Sequence, residues 1–239
     1  MSGVLRQVSK AVFAVGDRLL PDLPGPRILI YHQVGGGSDL EMEVAPDAFR
    51  SHVEWLADNA DVVPLERAEG TDSVVLTFDD GYRSLYEEAF PLLQKRRMPF
   101  TLFLTTAPVE TGEPLREHPG AEPLTWDMVK EMLDSGLMTI GAHTHTHPDF
   151  RHLTPAEVEA ELDRSDALIE ERLGTRPRYF AYTWGYWSPS ADPAVRRRYD
   201  RAFLGGPPPF PRLADPHLAY RVPVQLSDGT RWFHSRIRG

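Results

Sequence analysis

The chain has 239 residues, of which 41% are hydrophobic, with a formal net charge of −9 and no cysteine. This length and composition can bury one core of ordinary size, so we expect one domain that folds alone. The negative charge argues against a nucleic-acid partner and against an anionic membrane, since both attract basic surfaces. Without cysteine neither a disulfide nor a thiolate metal site can form, so any metal ion must be held by His, Asp or Glu.

Residues 1–25 predict an amphipathic helix followed by a proline-rich linker. Apolar residues recur at helical spacing, at Leu5, Val8, Val12, Val15 and Leu19. Arg6, Lys10 and Asp17 interrupt the apolar stretch and no small-residue cleavage site follows, so we expect no signal peptide and a cytoplasmic protein. Few basic residues lie on the polar face, so the helix is expected to pack on the domain or on an oligomer partner rather than on a membrane. No window is long enough to span a bilayer.

From residue 26 onward, short apolar runs alternate with helical patterns. The runs predict buried strands at 27–32, 73–78, 100–105, 137–143, 178–183 and 220–226. Helices are predicted at 46–59, 82–97, 125–136 and 154–174, and loops at 32–39 and 205–211. The last helix begins with a capping box at Thr154 and Glu157 and ends at Gly174. This alternation indicates an α/β fold, a single parallel barrel domain over residues 26–239.

Potential metal ligands follow directly after several predicted strands. Asp79 and Asp80 follow the second strand, His143 closes the fourth and His32 closes the first. The carboxyl ends of parallel strands share one rim, where the chemistry of barrels collects. Adjacent residues of an extended segment point opposite ways, so the two aspartates are expected to have separate roles, with Gly81 allowing the turn that follows. For the aspartate pair alone, a capped helix start is an equally good interpretation.

The segment GAHTHTHPDF at 141–150 carries three histidines at alternate positions. In a strand, His143, His145 and His147 would all face one side. In a helical turn, only His143 and His147 would come together. The spacing alone leaves both geometries open.

Two motifs together resemble a known family. TFDDG at 77–81 is followed about sixty residues later by HTHTHP at 143–148. The pair resembles the polysaccharide deacetylases, the NodB-like carbohydrate esterases, whose motifs are TFDDG and H-[ST]-x-x-H-P. The resemblance extends over roughly residues 27–235. It implies a distorted (β/α) barrel and a metal-dependent hydrolase that removes acetyl groups from N-acetylated sugars or polysaccharides.

The resemblance also implies the metal ligands. The positions that match the family's Asp-His-His triad are Asp80, His143 and His147, which favours the turn geometry and leaves His145 pointing away. Pro148 disfavours helical torsions at His147, so the turn is expected to end there. A carboxylate and two imidazoles suit zinc, with cobalt, nickel or manganese as alternatives.

Three protein ligands leave a divalent ion a position for water, whose pKa the ion lowers. Asp79, next to a ligand but facing elsewhere, is expected to take the proton of that water as general base. The resemblance assigns Asp79 the same role and implies that the backbone N–H of Trp184 stabilises the oxyanion. Thr183 stands where the family usually has proline, so a looser turn is expected there.

A late histidine that supplies the general acid in the family is not evident here, because RVPVQL at 221–226 contains none. His32, His217 and His234 are candidates to protonate the leaving amine. His32 is favoured because it ends a predicted strand. Stacking on sugar rings, with core packing as the alternative, is predicted for three aromatic residues, Trp184, Tyr186 and Trp187.

Many members of this family carry an arginine that orients the catalytic aspartate, but the matching position here is Ala181. A carboxylate acting as base needs a donor to fix its rotamer, and a guanidinium supplies two parallel hydrogen bonds. Barrel closure would bring Arg221, late in the chain, beside the first strands. We therefore expect Arg221 to pair with Asp79; the alternative is an exposed arginine at a strand start.

Two further functions are compatible with the sequence. One is a catalytically weakened carbohydrate-binding member that retains the metal. The other is a deacetylase or amidohydrolase of a non-polymer substrate. In the main interpretation the partner is an N-acetylated sugar or oligosaccharide, and the sequence does not define the oligomeric state.

Overall fold

The computed structural model describes residues 25–37, 40–68, 73–206 and 215–238. The predicted N-terminal helix lies outside the described residues, as do residues 207–211 of the second predicted loop. None of the helices in the described ranges is long and apolar enough to cross a membrane.

Parallel strands close into a barrel, as predicted. The described strands are β1 (Arg27–Tyr31), β2 (Gln33–Val34), β3 (Glu43–Val44), β4 (Asp61–Val62), β5 (Ser73–Asp80), β6 (Phe100–Leu104), β7 (Met138–Ala142), β8 (Tyr179–Ala181), β9 (Arg201–Gly205) and β10 (Ala219–Pro223). The main sheet has the order β1-β10-β9-β8-β7-β6-β5-β4, and β1 also pairs with β5. This second pairing closes seven of the strands into a ring, with β4 outside it.

Helices cover the outside of the barrel. They are α1 (Pro46–Asn59), α2 (Phe90–Arg96), α3 (Thr106–Thr111), α4 (Trp126–Asp134), α5 (Pro155–Leu173), α6 (Asp192–Arg198) and α7 (Thr230–Arg238). The predicted capping box of α5 is confirmed, because the Thr154 N–H donates to Glu157 Oε2 at 2.8 Å and the Glu157 N–H donates to Thr154 Oγ1. Gly174 ends this helix with a φ of 68°.

Several elements differ from the prediction. The helix predicted at 82–97 is divided into a π-helical turn at Leu85–Ala89 and α2. Pro91, which has no N–H to continue the hydrogen-bond ladder, accounts for the break. Strand β9 was not predicted, because its apolar run is three residues long and borders glycine. Strand β2 lies inside the predicted loop 32–39.

Alternate residues of β5 face opposite sides of the barrel wall. Val75 belongs to a small buried cluster with Ile28 and Phe103, whereas Leu76 packs in the larger cluster beneath the helices. Because side chains alternate along a strand, Thr77 and Asp79 continue the inward row that Val75 begins. The inward row therefore delivers a carboxylate to the carboxyl rim of the barrel.

A buried acid outside this rim affects stability. Asp166 on α5 is 8% exposed, and its Oδ1 accepts a hydrogen bond from the Tyr199 hydroxyl at 2.8 Å. Its Oδ2 is buried without a hydrogen-bond partner among the described residues. Burial raises the pKa of Asp166 to about 6, although the bond from Tyr199 and the charge of Arg198 act against it. The charged form is therefore unfavourable in the folded protein.

Replacing Asp166 with asparagine should raise the free energy of unfolding at pH 8 by about 1–3 kcal/mol, since the amide keeps an acceptor for Tyr199 and buries no charge. Because folding raises the pKa of Asp166, the protonated side chain stabilises the folded wild type at pH values below the pKa that Asp166 has in the unfolded chain. This stabilisation is lost as pH rises through about 6. The gain from asparagine should therefore be smaller at pH 5 than at pH 8 in urea unfolding. Glu171→Gln, an exposed change on the same helix, is the control; an equal gain at both pH values would contradict the assignment.

Candidate metal centre and active site

Three side chains converge at the carboxyl rim of the barrel. Asp80 ends β5, His143 follows β7 directly, and His147 lies four residues further on. One ligand atom from each lies within 4.8 Å of the others. Asp80 Oδ1 is 3.4 Å from His143 Nε2 and 3.3 Å from His147 Nε2. The structure thus brings together the three residues that the family motif singles out.

The cluster has the properties of a cation site. Asp80 Oδ1 is buried and has no hydrogen-bond partner among the described residues. His143 Nδ1 lies 2.7 Å from the Ala181 carbonyl oxygen, to which it must donate, so in the neutral ring Nε2 is a free acceptor facing Asp80. Two acceptors that face each other in a buried space need a cation or a proton between them. Two imidazole nitrogens and one carboxylate oxygen fit a divalent ion of the zinc type.

Charges within the cluster shift its pKa values. Burial acts to raise the pKa of Asp80, but the adjacent histidines outweigh it and hold the pKa well below its usual range. Burial acts to lower the pKa of His143, and the two aspartates outweigh it, so this pKa lies above its usual value. The carboxylate of Asp80 is therefore ionised and available as a ligand at neutral pH.

Unusual backbone geometry is concentrated at this rim. Five described non-glycine residues have a positive φ, and four of them are Asp80 (71°), Thr144 (71°), His147 (61°) and Trp184 (61°). Such conformations cost on the order of 1–3 kcal/mol each and persist only where the surroundings enforce them. Gly81, with a φ of 93°, continues the turn after Asp80, and a Cβ there would lie 2.5 Å from Leu104 Cδ1.

The histidine-rich segment forms neither a strand nor a regular helical turn. The rings of His143 and His147 lie 5.2 Å apart, whereas His145 Nδ1 lies 2.9 Å from Thr106 Oγ1, outside the cluster. The prediction that His145 points away is confirmed. His147 leaves the helical region before Pro148, as expected, but takes a left-handed conformation that the prediction did not include.

Asp79 is held by Arg221. The guanidinium Nη1 and Nη2 atoms donate to the two carboxylate oxygens at 2.7 Å each, and Nη1 also donates to Thr77 Oγ1 at 3.0 Å. Arg221 is 1% exposed and Asp79 4% exposed. The predicted pairing is confirmed, and the alternative of an exposed arginine is wrong, because Arg221 lies in the middle of β10 rather than at its start.

The pair leaves Asp79 charged and close to the cluster. Burial acts to raise the pKa of Asp79, but Arg221 and His143 outweigh it, so the pKa lies below its ordinary value. Asp79 Oδ2 lies 4.0 Å from His143 Nε2. The two adjacent aspartates thus have different partners, which agrees with the expectation of separate roles.

The turn at Thr183–Gly185 is not loose, contrary to the expectation drawn from Thr183. The buried Thr183 hydroxyl donates to the Pro148 carbonyl and so ties the turn to the histidine segment. Gly185 and Tyr186 donate their N–H groups within the turn, to Tyr182 and Thr183, whereas the Trp184 N–H has no acceptor in the described part of the chain. The Thr183 hydroxyl thus makes a hydrogen bond to Pro148 that a proline at this position could not make.

The three candidate proton donors lie in different places. His32 lines a cavity of about 330 Å³ together with Trp184. His217 lies shortly before β10, and its Nε2 is 2.8 Å from the carbonyl of Tyr199, which lies shortly before β9. His217 is therefore at the amino-terminal rim of the barrel, opposite the cluster. His234 stacks on Trp55 between α7 and α1, outside the barrel. The prediction that His217 or His234 protonates the leaving amine is therefore wrong. Their positions in the chain did not indicate on which side of the barrel they lie.

His118 carries no signal in the sequence, since it follows no strand and belongs to no motif. It lines the same cavity as His32 and also a neighbouring groove of about 670 Å³ that runs past Tyr82. Glutamates border that groove, at Glu43, Glu87, Glu88, Glu117 and Glu122. The rim is thus more acidic than the metal cluster alone would make it.

The aromatic residues do not form part of the core. Trp184 is 49% exposed, Tyr186 51% and Trp187 44%, so the core-packing alternative is wrong. The Trp184 ring lies 5.5 Å from the His147 ring, and the Arg151 guanidinium lies 3.9 Å above the Tyr186 ring. The exposed Trp184 ring therefore borders the cluster.

Fold and site together define a (β/α)-barrel protein with a candidate metal centre at its carboxyl rim. Residues 66–198 match the family model described as polysaccharide deacetylase. This match covers more than half of the chain, which belongs to the polysaccharide deacetylase family.

Individual relatives agree with this assignment. Over 171 residues the chain is 29% identical to YxkH of Bacillus subtilis strain 168, a protein assigned to the polysaccharide deacetylases, covering 67% of this chain and 57% of the relative. It is 25% identical over 174 residues to the poly-β-1,6-N-acetyl-D-glucosamine N-deacetylase of Staphylococcus aureus, covering 64% and 58%. The chain thus spans less than two thirds of the length of these relatives. The structure of IcaB from Ammonifex degensii superposes with a TM-score of 0.74 at 25% identity, covering 91% of this chain and 97% of that one.

The contact between Arg221 and Asp79 can be tested by a double-mutant cycle. Arg221→Met should lower the free energy of unfolding by about 3–5 kcal/mol, because Asp79 would remain buried and unpaired. Arg221→Lys should lose less, since an ammonium keeps the charge but not the two parallel bonds. Adding Asp79→Asn to Arg221→Met should restore part of the lost free energy of unfolding, measured by unfolding in urea. Simple additivity of the two changes would contradict the direct pairing.

Proposed function

We propose that this protein is a metal-dependent N-deacetylase of N-acetylated sugars, acting on oligosaccharide or polysaccharide. One observation carries the proposal: the Asp80, His143 and His147 cluster stands beside a second aspartate, Asp79, which Arg221 holds in place. Family membership supports an acetyl-removing hydrolase. The Staphylococcus aureus relative, named for N-deacetylation of a poly-N-acetylglucosamine, supports the substrate class.

Asp80, His143 and His147 would hold the ion, for which zinc is favoured and cobalt, nickel or manganese are alternatives. When bound, such an ion acidifies water and polarises a carbonyl oxygen. The hydrogen bond from His143 Nδ1 to Ala181 orients the ring, so that Nε2 faces Asp80.

Asp79 would act as the base. Its low pKa keeps it ionised at neutral pH, and Arg221 occupies one direction at each carboxylate oxygen. Each oxygen keeps a second acceptor direction, and Oδ2 is the oxygen near His143. We assign to Asp79 the proton of the water that attacks the acetamide carbon.

The Trp184 N–H would stabilise the negative charge that develops on the acetamide oxygen. It has no acceptor among the described residues, and its residue borders the cavity beside His147. The contact of Thr183 with Pro148 fixes this N–H relative to the histidine segment.

The leaving amine needs a proton, and Asp79 and His32 are the two candidates to supply it. Burial lowers the pKa of His32, so this ring is mostly neutral near pH 7. Asp79, once it has taken the proton of the water, releases it readily, because its pKa lies below the ordinary value. We therefore assign the return of the proton to Asp79 and a contact with the substrate to His32.

The aromatic surface would bind sugar rings. Trp184, whose ring lies 5.5 Å from that of His147, and Tyr186, two residues further on, each expose about half of their surface, and sugar rings stack on aromatic faces. A weakened carbohydrate-binding member is the second candidate function, since exposed aromatic rings would bind sugars whether or not acetyl groups are removed.

Acetyl release would separate the two functions. Monomeric and oligomeric N-acetylglucosamine, with O-acetylated sugars for comparison, would be incubated with the zinc-loaded protein and followed by mass spectrometry. We expect loss of N-acetyl groups, abolished by a chelator and restored by added zinc. Binding of the oligosaccharides without acetyl loss would favour the carbohydrate-binding function.

Histidine variants provide matched controls for this experiment. His143→Ala and His147→Ala should lose metal and activity together. His145→Ala should keep a metal content near one per chain, because its ring contacts Thr106 rather than the cluster. Loss of metal in a folded His145→Ala protein would show that the third histidine also ligates.

Asparagine variants of the two aspartates should differ in their effects on metal content and on turnover. Asp79→Asn should keep the metal but lower turnover by about 10²- to 10⁴-fold, the usual contribution of a general base. Asp80→Asn should weaken metal binding, because an amide is a poorer ligand than a carboxylate. Metal content by elemental analysis and turnover would be measured on the same samples. Equal metal loss in both variants would mean that the two aspartates share one role.

A further inference from the structure

A carboxylate outside the cluster holds the segment between its two histidines. Glu161, on α5, accepts the N–H groups of His145 and Thr146 at its Oε2, at 3.0 and 2.8 Å. Its Oε1 accepts the Thr146 hydroxyl at 2.7 Å. One side chain thus binds the outer edge of the segment three times.

The inner edge of the same segment is anchored by the start of α3. Thr105 Oγ1 donates to the His143 carbonyl at 3.0 Å, and the N–H groups of Thr106 and Ala107 donate to the carbonyls of Thr144 and His145. These bonds satisfy carbonyl groups. The N–H groups of His145 and Thr146 have Glu161 as their acceptor in the described structure.

The segment needs such support because its conformation is costly. Thr144 and His147 both have left-handed torsions, which are strained for residues with a Cβ. Without an acceptor, the two N–H groups would turn toward water, and the backbone could relax to a less strained form. His147 would then move away from Asp80 and His143.

We propose that Glu161 is a positioning residue for the metal centre. Its carboxylate holds the strained segment so that His143 and His147 present their Nε2 atoms to one point. Bonds between a carboxylate and N–H groups are stronger than neutral ones, which suits a group that opposes strain. The inference rests on the proposed metal site, and it adds a residue that lies in neither family motif.

Glutamine is the conservative variant. Its amide oxygen can accept from both N–H groups, and its NH₂ group can donate to the Thr146 hydroxyl oxygen. Alanine removes all three contacts. If only the negative charge of Glu161 mattered, Glu161→Gln would weaken zinc binding as much as Glu161→Ala.

Zinc affinity of the metal-free protein provides the test. A competition titration with a chromogenic chelator should show weaker binding by about 10- to 100-fold in Glu161→Ala, the usual effect of losing a group that orients a ligand. Glu161→Gln should recover most of this loss. The visible spectrum of the cobalt-loaded Glu161→Ala protein should also change, because His147 would sit differently on the ion. Glu171→Ala, an exposed change on the same helix, should bind zinc like wild type.

The outcomes separate the inference from the function on which it rests. If wild type binds zinc and a folded Glu161→Ala protein binds it equally well, the positioning role is wrong and the metal site stands. If wild type binds no zinc, both are wrong. Should Glu161→Ala not fold, Thr146→Ala removes one of the three bonds at an exposed residue and should still weaken zinc binding several-fold; unchanged affinity there would overturn the inference.

Discussion

The buried pair between Arg221 and Asp79 depends on barrel closure and in turn organises the site. The two residues are 142 positions apart, and they meet because β1 pairs with both β5 and β10. Burying an isolated charge is costly, so neither side chain could remain inside the barrel without the other. The pair therefore couples completion of the fold to the placement of a carboxylate at the rim.

Once Asp79 is committed to Arg221, Asp80 becomes available for a different task. Consecutive residues of a strand face opposite sides, and Asp80 adds a left-handed torsion that turns it toward the histidines. The same kind of torsion recurs at His147 and Trp184, which approach the site from other segments. Strain at this rim is held in place by specific hydrogen bonds, from Thr183 to Pro148 and from the histidine segment to Glu161.

Much of the fold could be predicted from the chain because local and global signals agree. The six predicted strands and the capping box at Thr154 follow from apolar runs and capping chemistry, and the structure contains them all. Strand β9 was missed because a three-residue apolar run beside glycine is too short to show a period. Its pairing with both β8 and β10, rather than its own sequence, stabilises it as a strand.

The site was predictable where motifs or strand ends marked it, and unpredictable where only three-dimensional packing did. Arg221 could be inferred because Ala181 left a carboxylate without a donor, and a chemical requirement can be read without coordinates. Glu161 could not, since it is one of several glutamates on α5 and only the packing of that helix selects it. His118 lies in a connection between helices and carries no sequence signal.

In the proposed function, Asp80, His143 and His147 hold one metal ion while Asp79 stays bound to Arg221. This arrangement can be tested with a crystal of the zinc-loaded protein and diffraction data collected on both sides of the zinc absorption edge. We expect one anomalous peak per chain within bonding distance of Asp80, His143 Nε2 and His147 Nε2, with both hydrogen bonds from Arg221 to Asp79 intact. A peak bonded to Asp79 or His145, or a peak elsewhere with the cluster empty, would show that the proposed set of ligands is wrong.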